Sequence, residues 1–203
     1  MMKKYWPYII LFVYLVFLAL STINTTSTDL WVEKNLTSIV IVLIFIALYV
    51  KNIKFSNMAY TLSILFPIVN TMSAYYGYGD NTIEVFNNTL TLQGDIFEKL
   101  SHFSAGLYAY PLMGFLIKEK KIKSEWMTIL FSIFIVGFIT MDYEIIEVFT
   151  AIKSGAIDAL TITSDSFGVI YIQGDIFMGT LGAITAAFIY IIKHVFEKEK
   201  NSV

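Results

Sequence analysis

Long apolar runs separated by short polar stretches organise this chain. Six can be read, at residues 7–23, 33–50, 58–76, 99–117, 126–152 and 175–193. A membrane-spanning helix needs about 20 mostly apolar residues. The six runs meet or approach that length, the second by borrowing Leu30, Trp31 and Val32. They predict an all-α fold, a polytopic integral membrane bundle of six transmembrane helices forming a single membrane domain over residues 1–203. The longest connections, 77–98 and 153–174, are rich in Asn, Thr, Ser, Gly and Asp and suit turns or short interfacial helices. The first run also has the layout of a signal peptide, with a Lys-containing start and Ala19-Leu20-Ser21 as a small-residue site. Its length and the five runs that follow favour a retained helix.

Composition agrees with a bilayer-embedded class. Hydrophobic residues make up 57% of the chain and charged residues only 15%, too apolar for an ordinary soluble domain. The net charge of −2 gives no electrostatic case for a nucleic-acid partner. All 14 basic residues are Lys, so a bidentate guanidinium grip on phosphate is excluded. Cys is absent, which excludes disulfides, thiol nucleophiles and thiolate metal sites. With the N-terminus inside, eleven lysines fall on the cytoplasmic side and three, Lys34, Lys99 and Lys153, on the other. Basic residues prefer the cytoplasmic side of short loops, so the split predicts an N-in, C-in protein of the cell membrane.

Against this apolar background a few ionisable residues stand out, because such a group at membrane depth costs several kcal/mol unless paired or hydrated. Lys99 and His102 open the fourth run, Asp142, Glu144 and Glu147 close the fifth, and Asp175 opens the sixth. In the predicted topology all of them reach the extracytoplasmic end of three consecutive helices. Lys99 and His102, and Glu144 and Glu147, are spaced i, i+3, and Tyr143 and Glu147 i, i+4, so each pair shares a helix face. Asp175, Gly179, Gly182 and Ala186 form a small-residue stripe suited to close helix approach. Ser101, Ala105 and Ala109 form a second such stripe, and His102, Gly106 and Tyr110 a third. The sequence Gln-Gly-Asp-Ile-Phe occurs at 93–97 and again at 173–177, which predicts two similar helix starts with Asp95 and Asp175 as N-caps.

Each of these residues also has a plain structural reading. His102 can be a hydrogen-bonded packing residue, Lys99 can snorkel to the interface, and His194 and Asp142 can face solvent. Glu144 and Glu147 are harder to explain so, since two acids on one face repel unless one is protonated, paired or metal-bound. No His-x-x-x-His, Glu-x-x-His or Cys pattern supports zinc, and no metal site is assigned. Glu144, Glu147 and Asp175 with one His could hold a divalent cation such as Mg²⁺, Ca²⁺ or Mn²⁺. Ser101 and Ser104 sit beside His102 without the context of a nucleophile elbow.

In order along the chain, Glu98-Lys99-x-Ser-His102-Phe103, Tyr143-Glu144-x-x-Glu147 and Asp175-x-x-x-Gly179-x-x-Gly182 resemble the three-part signature of the VanZ-like membrane proteins. The chain is more similar still to the YjdF-like family, through Phe55-Ser56-x-x-x-Tyr60-Thr61-Leu62 and Ala74-x-Tyr76-x-Tyr78. Family members often carry His where this chain has Asn70 and Tyr75. The resemblance implies an envelope protein, since VanZ-like proteins are associated with glycopeptide resistance and envelope phenotypes, and it carries over no established activity. The expectation is therefore a protein of the lipid bilayer that binds or modifies a lipid headgroup or other amphiphilic ligand at an extracytoplasmic polar cluster. His102, Glu144 and Glu147 are the candidate catalytic groups, and Lys99, Asp175, Tyr143 and Asn70 the candidate binding groups. Two alternatives stand beside it, a small-solute or proton-coupled transporter and a purely structural polar network. Whether the protein is an enzyme, and its oligomeric state, are left open by the sequence.

Overall fold

In a computed structural model of the protein, residues 5–24, 31–76, 92–118, 122, 124–153 and 166–201 are described. Among them every regular element is helical: α1 (Trp6–Asn24), a π-helical turn (Val32–Leu36) running into α2 (Thr37–Val50), α3 (Asn57–Tyr76), α4 (Leu92–Gly106), α5 (Ala109–Lys118), α6 (Glu125–Lys153) and α7 (Ser166–Asn201). Among the described residues, three stretches are long and apolar enough to cross a membrane: Trp6–Ile23, Glu125–Ile146 and Gly174–Phe196. The shortest, 18 residues, rises about 27 Å as a helix. Thr37–Val50 is apolar but shorter.

Burial runs opposite to that of a soluble protein. Phe12, Phe134 and Phe138 are 66%, 73% and 58% exposed, whereas Thr71, Thr128 and Ser132 are fully buried. A surface of large apolar side chains over an interior of small hydroxyls is what lipid solvation selects. Apolar burial gains nothing there, and helices associate through small and hydrogen-bonding residues.

The chain divides into two compact units, Met1–Ser104 and Ala105–Val203. The division falls inside α4, which continues unbroken through it. In the first unit α1 and α2 both pack on α3. Hydrogen bonds between buried side chains tie them: Asn35 Nδ2 donates to Ser21 Oγ at 3.1 Å, and Asn70 Nδ2 to Ser38 Oγ at 3.2 Å. Trp6 Nε1 donates to Thr61 Oγ1 at 2.9 Å. The turn from α2 to α3 is built by its sequence. Asn52 takes φ of 60°, and the N–H groups of Asn52 and Ile53 bond to the Tyr49 and Leu48 carbonyls, a Schellman stop. Ser56 Oγ then accepts the Ala59 N–H, and Tyr60 Oη accepts that of Phe55. The Phe55-Ser56-x-x-x-Tyr60 motif is thus the N-terminal cap of α3.

In the second unit α5, α6 and α7 pack on one another. Two boundaries differ from the sequence reading. The fourth run is two helices, interrupted at Leu107–Tyr108. Pro111 has no N–H, and its ring would meet the Leu107 carbonyl in a continuous helix. Tyr110 N–H bonds to the Leu107 carbonyl instead, at 3.0 Å. Pro67 sits inside α3 without ending it, so proline alone does not decide. Before Pro111 lies Gly106, a poor helix former pinned against α7. The small stripe Ser101, Ala105 and Ala109 is therefore split between two helices.

The sixth run begins earlier than expected, at Ser166. Asp175 is thus a mid-helix residue and not an N-cap, because the apolar stretch Phe167–Ile172 continues the helix upstream and neither Gly168 nor Gly174 stops it. Asp95 likewise falls inside α4, which starts at Leu92. Downstream, α7 carries His194 as a helix residue. Its Nε2 lies 2.6 Å from Glu125 Oε1, and its ring stacks on Tyr190 at 6.0 Å, so it is not simply solvated.

Candidate functional site

The site is framed by a contact between helix backbones. A Cβ on Gly106 would lie 2.1 Å from the Gly179 carbonyl oxygen and 2.8 Å from Gly182 Cα, so only glycine fits where α4 meets α7. A Cβ on Gly179 would in turn lie 2.5 Å from Thr140 Cγ2 on α6. Thr140 is held in that pose by donating to the Val136 carbonyl at 2.9 Å. Ala183 and Ala186 extend the same face of α7 and are fully buried, so the small-residue stripe from Asp175 to Ala186 is a packing face.

One helical turn from this frame, within the second unit, stand two carboxylates. Asp175 is four residues before Gly179 and Glu144 four residues after Thr140. Thr140 of α6 meets Gly179 of α7 and Glu125 meets His194, so the two helices run antiparallel, and a step forward on α6 and a step back on α7 reach the same level. Asp175 is 1% exposed and Glu144 4%. Their ligand atoms lie within 4.8 Å of each other. His102, 8% exposed, belongs to the first unit, on the part of α4 that precedes the division.

Chemically this is a pair of carboxylates withdrawn from solvent. Two carboxylates at that range repel unless a proton, a protonated imidazole, a lysine or a cation stands between them. Such a pair can share a proton or grip a cationic or hydroxyl-bearing group.

The other candidate residues are placed as follows. Asn70 is buried in the first unit and accepts from Ser101 Oγ at 3.4 Å, one residue from His102. Lys99 is half-buried, three residues before His102 on α4. Tyr143 is 46% exposed, and Asp142 is half-buried. Glu147 lies on α6, but its side chain is outside the described residues, as are those of Glu98, Tyr75, Tyr76 and the first Gln-Gly-Asp-Ile-Phe copy at 93–97, and residue Tyr78. Thr140 was not singled out in the sequence. Its signal is a small β-branched residue four positions before Glu144, matching the glycines four positions from His102 and Asp175.

Residues 6–195 match the model of a family described as "Predicted membrane protein (DUF2238)". No curated protein and no solved structure matches the chain.

Proposed function

Because the chain belongs to the DUF2238 family of predicted membrane proteins, we propose that its work is done at the Glu144 and Asp175 carboxylate pair, on the polar head of an amphiphilic molecule held in the bilayer. The carrying observation is the burial of these two carboxylates at one level on two apolar helices, where an ionisable group without a task is expensive. In this reading the chain crosses the cell membrane six times with both termini inside. α4 and α5 together make the fourth span, and the lysine asymmetry puts the centre toward the extracytoplasmic face. His102 and Glu144, with Glu147, are the acid–base candidates. Lys99, Asp175, Tyr143 and Asn70 orient the ligand. The YjdF-like and VanZ-like motifs coincide with these positions, which supports an envelope role.

Alanine at His102, Glu144 or Asp175 tests the reading. An envelope phenotype should disappear while the amount of protein in the membrane stays near wild type, and one co-purifying amphiphile should be lost in lipidomics of the His102→Ala protein. Loss of membrane abundance in all three variants would instead favour a network that only specifies the fold, the second reading that their burial supports.

A further inference from the structure

We infer that the first unit holds an acyl chain of an anionic phospholipid in an apolar cavity between α1, α2 and α3, with the lipid phosphate at Lys51 and Lys54. The cavity lies wholly within Met1–Ser104 and is separate from the carboxylate pair.

Three observations carry it. The first is shape. A cavity of about 250 Å³ opens where the start of α1, the end of α2 and the start of α3 come together. Its lining on α2 runs from Ile41 to Val50, about 13 Å of helix. One leaflet of hydrocarbon is about 15 Å deep, so the cavity follows the path of a lipid chain through most of that leaflet.

The second is the wall. Pro7, Leu11, Val42, Ile64 and Pro67 give it an apolar surface, and Ser63 Oγ donates to the Ala59 carbonyl at 2.7 Å. Such a cavity gives water too few partners and takes hydrocarbon instead. Aromatic rings fix one side. Tyr60 lies edge-on to Phe45 and Tyr49 at 6.5 and 6.4 Å, and Tyr8 edge-on to Tyr49 at 6.0 Å. These contacts shape the wall before a chain enters, which limits the ordering cost of binding.

The third is charge. Lys51 and Lys54 are exposed on the turn that joins α2 to α3. Lys54 Nζ stands 5.8 Å from the centre of the Tyr49 ring, and Tyr49 lines the cavity, so a cation sits at the rim. None of α1, α2 and α3 contains Asp or Glu, so no acid on these helices offsets the two lysines. In the N-in topology the rim faces the cytoplasm, the side whose leaflet carries the anionic lipids.

The test uses the full-length protein in mild detergent, exchanged against equal amounts of phosphatidylglycerol and phosphatidylcholine and read by native mass spectrometry. Wild type should retain a single phosphatidylglycerol. Lys51→Gln and Lys54→Gln should each cut the preference over phosphatidylcholine about fivefold. Val42→Phe and Ile64→Trp each fill the room of about two methylenes and should weaken retention of either lipid about tenfold. Thermal unfolding in detergent shows which filled variants fold, and the exposed lysine variants test the site whether or not they do. Glu144→Gln should retain the lipid as wild type does, whatever it does to an envelope phenotype. No phospholipid on wild type, equal retention of the two lipids, undiminished retention in a folded filled variant, or loss of the lipid in Glu144→Gln would overturn the inference.

Discussion

The two units bury polar side chains in different ways. In the first, neutral amides and hydroxyls are joined by side-chain hydrogen bonds, Asn35 to Ser21, Asn70 to Ser38 and Ser101 to Asn70, and the buried carboxylates lie elsewhere. In the second, α6 and α7 bring the carboxylates of Glu144 and Asp175 together. Neutral contacts inside a membrane each contribute roughly 0.6 kcal/mol, and losing one disturbs little else. A buried ionisable cluster costs several kcal/mol and repays it only when its charges are balanced. Polarity at depth is therefore not one phenomenon here. The neutral contacts locate helices, whereas the ionisable centre must be justified by what it binds or does.

Variants can break or sharpen this contrast. The largest effect belongs to the frame beneath the centre. Gly106→Ala places a methyl on the α7 backbone and should cost on the order of 3 kcal/mol, seen as a fall in thermal stability in detergent and in membrane abundance. Gly179→Ala should cost somewhat less, about 2 kcal/mol, because its methyl would press on the Thr140 side chain and not on backbone. Adding Thr140→Ser, which removes the Cγ2 methyl, should restore part of that stability, and failure of this rescue would argue against a close α6–α7 contact at this level. In the neutral network, Asn35→Ala, which removes the donor to Ser21 Oγ, should cost about 1 kcal/mol and leave the phenotype intact. Asn52→Ala, at the left-handed stop of α2, should cost about 1 kcal/mol as well, with Asn52→Gly neutral, in the same unfolding assay. The smallest effect is expected at Glu125→Gln, about 0.5 kcal/mol or less, since that ion pair is partly exposed.

Much of this was legible in the residues themselves. Apolar run length located the helices, and the i, i+4 pairing of His102 with Gly106 and of Asp175 with Gly179 marked faces that do pack. The break before Pro111 was not legible from the proline alone, since Pro67 is tolerated inside α3. It depends on Gly106 being held by a partner distant in sequence. The early start of α7 was missed because Gly-Asp at 174–175 carries the local mark of a helix start, and apolar continuity across Phe167–Ile172 overrode it. The convergence of Glu144 with Asp175 depends on which faces of α6 and α7 meet. Thr140 against Gly179 settles that, and single-helix periodicity contains no trace of it.

The glycine contact has a bearing on how such a protein can diversify. Spacing between α4 and α7 is set by peptide atoms, which every sequence possesses, and not by the bulk of side chains, which mutation alters freely. The scaffold is thus insulated from its own chemistry. Donors one turn away can be exchanged for others of different charge or reach while the helices keep their register. Relatives could therefore share one architecture and act on different molecules, with Gly106 and Gly179 as the fixed points against which such changes are measured.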